Sequence, residues 1–222
     1  MGVDGSCGLW GETSWDVQGF SLDLPRCAPS IVNRVGQAEW ARDLAECLLA
    51  PTLPRRWAHT QGVAKRAESL APILGAEADT LTAAAYLHDI GYAPDLVDTG
   101  FHPLDGARYL RDVVKADDTL CRLVAHHSCA VNEALNRDLL DALTAEFDEE
   151  RPELVEALTY CDMTTGPDGR HLDVAERLAE IHSRYGPDHL VSRSITASTP
   201  CILAAVKAVE TALSDVRLRT SG

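Results

Sequence analysis

From Gln37 onward, apolar residues recur at every third or fourth position and hardly anywhere alternate with polar ones. The run QAEWARDLAECLLA stops at Pro51, and RRWAHTQGVAKRAESLAPIL resumes after Pro54. EADTLTAAAYLHD, HPLDGARYLRDVVK, DDTLCRLVAHHSCA, EALNRDLLDALTAEF, PELVEALTYCDM, LDVAERLAEIHSRY and ITASTPCILAAVKAVETALSDVRLR follow. A period near 3.6 with no alternating run predicts about eight or nine helices and no sheet. Proline and glycine punctuate the joins, as in IGYAP, TGFHP, TTGPDG and RYGPD. Pro103 and Pro152 fall at first helical positions, where the missing amide hydrogen is no loss.

This pattern predicts an all-α fold, a compact multi-helix domain over residues 36–222. Its core motifs lie in 55–170 and its C-terminal helices in 171–219. Residues 1–35, rich in Gly, Ser, Pro and Asp and without sustained period, read as a mobile N-terminal extension.

Composition narrows the class. A chain of 222 residues with 45% hydrophobic content can bury one sizeable core. A formal charge of −14 argues against nucleic-acid binding driven by phosphate neutralisation. It leaves a small phosphorylated ligand open, because a bound cation inverts the local field. The 7 cysteines include no C-x-x-C pair. Several, such as Cys47 and Cys161, sit in apolar helical patterns where a thiol acts as a small hydrophobe. Without a leader pattern or a segment long enough to span a bilayer, the reading is cytoplasmic, with no membrane partner.

The candidate chemistry is carried by histidine and aspartate on apolar stripes. His59 shares a stripe with Val63, Ala67, Leu70 and Leu74 and therefore faces inward. Taken alone, such a histidine is more often a hydrogen-bonded core residue than a ligand. Asp162 ends the stripe of Leu154 and Leu158, at a helix C-terminus whose partial charge disfavours an acid. A nearby cation reverses that preference. His88 and Asp89 stand side by side in AAAYLHDIGYAP, and two adjacent ionisable groups on an apolar run need a partner or a metal. His102 opens the helix that Pro103 begins, and His126 and His127 close another. Periodicity from Leu120 slightly favours His127 as the inward member. Imidazole with carboxylate suits Fe, Mn, Zn or Ni. A bridging carboxylate is a role that Asp89 can fill and His88 cannot.

The series His59, His88-Asp89 in LHDIG, and Asp162 resembles the H…HD…D signature of the HD-domain superfamily of metal-dependent phosphohydrolases, over roughly residues 37–185. The segments FHPLDGARYL and LVAHHSCA resemble its two-metal branch, and that alignment implies His126 rather than His127. The resemblance implies an HD-type bundle holding two divalent transition metals, Mn or Fe foremost and Co, Ni or Zn also suitable. His59, His88, Asp89 and Asp162 would surround one, and Asp89, His102 and His126 the other. His88 and Asp89 would be catalytic, around a metal-bridged hydroxide. Arg66, Lys65, Arg108 and Arg170 are candidates for holding phosphate oxygens. The Gly-Tyr-Pro loop of the HD-GYP phosphodiesterases is missing, so the expected substrate is another small phosphorylated metabolite or nucleotide. A homodimer is left open. The same ligand set also resembles that of mixed-valent diiron oxygenases, which cleave C–C or C–P bonds with O₂.

Overall fold

The computed structural model describes residues 36–149 and 151–220. The extension expected over residues 1–35 lies outside the described residues. The described chain is helical, with one isolated antiparallel bridge, Thr165 to His171, and no other strand pairing.

The helices are α1 (Gln37–Leu49), α2 (Pro54–Glu68), α3 (Ala71–Leu74), α4 (Ala78–Leu87), α5 (His102–Tyr109) and α6 (Asp118–His126). They continue as α7 (Val131–Asn136), α8 (Leu140–Glu146), α9 (Pro152–Met163), α10 (Val174–Tyr185) and α11 (Leu190–Thr220). Two predicted runs divide. RRWAHTQGVAKRAESLAPIL ends α2 before Leu70 and restarts as the single turn of α3, where Pro72 lies near the helix start. EALNRDLLDALTAEF breaks at Asp138, whose φ of 58° lies in the left-handed region that aspartate tolerates better than most residues. The last helix begins at Leu190, earlier than the pattern indicates, and carries Pro200 in its interior.

The central element is α4. Leu81, Ala83, Ala84, Ala85 and Leu87 are all fully buried, so the helix is apolar nearly all round, as a helix enclosed by others must be. It packs on α1 and α2 and touches α6 and α9. Its C-terminal end delivers His88 and Asp89 to the middle of the domain. A second, smaller apolar cluster of Met163, Ile181 and Ile202 joins the end of α9 to α10 and α11. It backs the wall of the site described below.

Cys129 and Cys201 form a disulfide between the turn after α6 and α11, which the scattered cysteine pattern did not anticipate. Cys121 and Cys161 are buried thiols, as small hydrophobes would be. Among the described residues no helix is long and apolar enough to cross a membrane.

Candidate metal centre

Three histidines are fixed by backbone carbonyls in a common way. His59 Nδ1 lies 3.0 Å from Gly166 O, His88 Nδ1 2.7 Å from Ala85 O, and His127 Nδ1 2.7 Å from Val124 O. A carbonyl only accepts, so each Nδ1 donates and each Nε2 is left to present a lone pair or a second proton. All three Nε2 atoms point to the same region. His59 Nε2 is 3.0 Å from Asp162 Oδ1. His88 Nε2 is 3.3 Å from Asp89 Oδ2, in a geometry that makes no hydrogen bond, and is otherwise a buried nitrogen without a partner. His127 Nε2 is 3.1 Å from His102 Nε2.

Two groups of three result. One potential ligand atom each from His59, His88 and Asp162 lies within 4.8 Å of the others, and the same holds for Asp89, His102 and His127. Asp89 reaches toward both groups. Its Oδ2 faces His88 and, at 3.9 Å, His59 Nε2, while its Oδ1 is 3.3 Å from His102 Nε2. Lone pairs facing lone pairs in a dry interior repel one another, and protons or cations between them remove the repulsion. The donor set, the carbonyl-anchored imidazoles and the orphaned His88 nitrogen fit a divalent transition metal.

The backbone makes these approaches possible at two places. Any side-chain carbon on Gly91 would run into the carbonyl oxygen of His102 and the amide of Gly106. Gly91 therefore lets the start of α5 lie against the turn after Asp89, which sets His102 beside that carboxylate. In the same way, Gly62 and Gly169 permit the loop after α9 to sit directly on α2. Gly166, in that loop, supplies the carbonyl that orients His59.

The electrostatics follow from burial and neighbours. Burial alone would raise the pKa of Asp89, yet Arg56, His88 and His102 outweigh it and hold the carboxylate well below its usual range. Asp162 behaves likewise, with His59, His88 and Arg177 overcoming burial. Burial, aided by His88, pushes the His127 imidazole down to about 4. His102 is also lowered, chiefly by burial and against the attraction of Asp89. For His88 the balance reverses: burial lowers its pKa, but Asp89 and Asp162 raise it by more.

His126 does not join the cluster. Its Nε2 is 2.8 Å from the carbonyl oxygen of Phe147, on the far side of α6. This corrects the expectation taken from the family alignment. The helix ends at His126, and the backbone turns to an extended φ/ψ at His127, which swings the second imidazole inward. Ser128 and Cys129 then take positive φ of 52° and 58°, a strained turn that also brings the Ser128 hydroxyl to Asp162 Oδ2.

The four predicted phosphate-holding residues are likewise elsewhere. Arg66 donates to the Tyr160 hydroxyl at 2.7 Å. Lys65 is exposed on α2. Arg108 is paired with Glu146, and Arg170, 85% exposed, with Asp168. The cations at the site are Arg56, Arg177 and Arg184, which line the cavity opening on Asp89, His102, His127 and Asp162. Arg56 donates to Asp89 Oδ2 at 2.7 Å and stacks on the Tyr92 ring, which stacks on His102. Arg56 stands one turn before His59, a spacing that could have identified it. Arg177 and Arg184 are seven residues apart on one face of α10, beyond the recognised motifs.

A helical bundle closing histidines and carboxylates around a buried centre defines an all-α protein with a site suited to metal. A family model, that of the HD domain, matches residues 56–165, and the chain belongs to that family of metal-dependent phosphohydrolases. The match contains every residue of both groups. No curated protein and no solved structure shows significant similarity to the chain.

Proposed function

We propose that the protein is a metal-dependent phosphohydrolase that cleaves a phosphate ester or anhydride of a small metabolite or nucleotide. The observation that carries this reading is the pair of three-residue groups with Asp89 directed at both, because two cations sharing a carboxylate suit hydrolysis of a phosphoryl centre. His59, His88 and Asp162 would hold one ion, His102 and His127 the other, and Asp89 would serve both. Bound cations supply the Lewis acidity that makes water a nucleophile and neutralises phosphoryl charge.

The chain's own residues do the rest. Asp89 and Asp162 stay ionised at neutral pH and balance the positive centre. His59, His88 and His127 keep fixed orientations through their carbonyl bonds, so little reorganisation accompanies the reaction. Arg56 and Arg177 lie beside the carboxylates, where a phosphoryl group's non-reacting oxygens need positive partners. The water oxygen forms the new P–O bond, the bond to the leaving oxygen breaks, and that oxygen takes up a proton.

The test is metal analysis of anaerobically purified protein, followed by phosphate-release and oxygen-uptake assays on a metabolite panel. Phosphate release with Mn²⁺ or Co²⁺ and no oxygen consumption is the expected result. Oxygen uptake dependent on two irons, with no phosphate released, would replace the hydrolase by the oxygenase reading.

A further inference from the structure

We infer that a cleft beside the metal centre, lined by Arg55, Arg56, Arg177 and Arg184, binds a second anionic group of the substrate, so that the molecule hydrolysed is a di- or polyphosphorylated small metabolite. This rests on the phosphohydrolase reading and names its substrate class. The cleft has a volume of 340 Å³, lies against His59, and contains no carboxylate in its lining. In a chain with 34 acidic and 20 basic residues, four arginines gathered on one acid-free cleft run against the overall charge.

Three features connect this cleft with the centre. Arg56, Arg177 and Arg184 line both it and the cavity over Asp89, His102, His127 and Asp162. That cavity has a volume of only 80 Å³, so the larger space for the remainder of a substrate lies on the arginine side. The guanidinium of Arg177 is held in place but not saturated. It bonds Glu180 at 2.7 Å and lies 3.6 Å from Asp162, while its buried Nε has no partner.

Glu180 also pairs with Arg184 at 2.9 Å, which ties the two guanidinium groups together on α10. Arg55 makes no ion pair with any described residue and stands exposed at the mouth. Planar guanidinium groups match phosphate oxygens in bidentate fashion and remain charged at every working pH. A phosphoryl group at the metal centre would therefore leave an adjoining phosphate facing these arginines. The surrounding negative surface repels large polyanions, which restricts the cleft to small ones.

The experiment uses the full-length chain freed of metal, with tripolyphosphate and orthophosphate as calorimetric probes at physiological ionic strength. Tripolyphosphate should bind more tightly than orthophosphate. Arg55→Ala and Arg184→Ala should each weaken tripolyphosphate by about tenfold and orthophosphate by less, each contact being a charge-assisted hydrogen bond. Both side chains are solvent-accessible, and circular dichroism checks that the variants fold. Arg42→Ala, at an exposed pair with Asp43, is the control and should change nothing. Equal affinity for the two probes, or affinity unchanged in the Arg55→Ala/Arg184→Ala double variant, overturns the cleft assignment. Hydrolysis of p-nitrophenyl phosphate by the metal-loaded protein tests the hydrolase reading separately, because that ester has no second anion. Arginine-dependent tripolyphosphate binding without any phosphatase activity would keep the cleft and remove the reaction.

Discussion

The Nε2 atoms of His102 and His127 stand 3.1 Å apart, while Nδ1 of His127 is engaged with the carbonyl of Val124. A neutral imidazole whose Nδ1 donates offers only a lone pair at Nε2. The facing His102 Nε2 must then carry a proton, or the two nitrogens must share a cation, and Asp89 Oδ1 is 3.3 Å from His102 Nε2. A shared cation satisfies all three atoms at once.

The adjacent histidines therefore have separable roles. In the proposed two-metal centre, His127→Ala should cost the ion held with Asp89 and His102, because a three-ligand site tolerates loss of a ligand poorly. His126→Ala should leave the metal content unchanged but destabilise the fold by about 1–3 kcal/mol, since it strands the buried carbonyl of Phe147. Elemental analysis and thermal denaturation of the two variants distinguish them. Metal loss in the His126 variant with retention in the His127 variant would reverse the assignment.

Gly91 is the backbone contact on which the position of His102 depends. Gly91→Ala places a methyl group against the His102 carbonyl, and neither backbone can yield without shifting α5. Overpacking of this kind typically costs about 1–3 kcal/mol. The expected outcome is a lowered melting temperature together with weakened metal binding. A variant with full stability and full metal content would show that α5 can move without loss.

The stripes of His59 and Asp162 were legible in the sequence because helical periodicity fixes which side chains face inward. The order H…HD…D carried the family, and the match over residues 56–165 agrees with it. The choice between His126 and His127 was not legible from alignment. It depends on where α6 ends, and a change of ψ at a single residue exchanges which imidazole points inward. The slight periodicity preference for His127 was the better guide. The phosphate-side arginines were missed for a different reason. Proximity in sequence to a ligand favoured Lys65 and Arg66, but these lie more than a turn beyond His59 and look toward Tyr160 or solvent. Arg177 and Arg184 reach the centre only through the packing of α10, which no local pattern reports.

The disulfide between Cys129 and Cys201 ties the turn after His127 to α11 across a separation of 72 residues. By chain entropy, a loop of that length restricts the unfolded chain by about 4 kcal/mol. Cys201→Ser should lower the melting temperature accordingly under non-reducing conditions, and a thiol reductant, which also opens the disulfide of Cys47, should lower that of the unaltered chain at least as far. Equal melting temperatures with and without reductant would show that this crosslink contributes nothing to stability.

Acidity should expose the competition between protons and metal. In the metal-free fold His88 has a raised pKa, because Asp89 and Asp162 together outweigh its burial. A proton then occupies the place a cation would take, and metal uptake near neutral pH must release it. His127, lowered to about 4 by burial, and His102, also lowered, run the other way. Their folded-state pKa lies below the unfolded value of about 6.5. The unfolded chain therefore binds more protons through them at any pH between the two values, and their contribution to stability falls on acidification from pH 6.5 toward 4. His88 acts in a different window, since its raised pKa stabilises the fold fully below 6.5 and that contribution is lost only as pH rises from 6.5 through the folded value. Asp89 and Asp162, both depressed, contribute above the normal carboxylate range and lose that contribution only as pH falls through their own folded values. Between pH 6.5 and 4 the two lowered histidines set the slope, and the metal-free protein should lose stability there. Metal affinity should fall over the same interval. Calorimetric titration of Mn²⁺ in two buffers of different ionisation enthalpy measures the released proton directly. Identical apparent enthalpies in both buffers at pH 7 would mean that no proton is displaced and that His88 is already neutral in the metal-free fold.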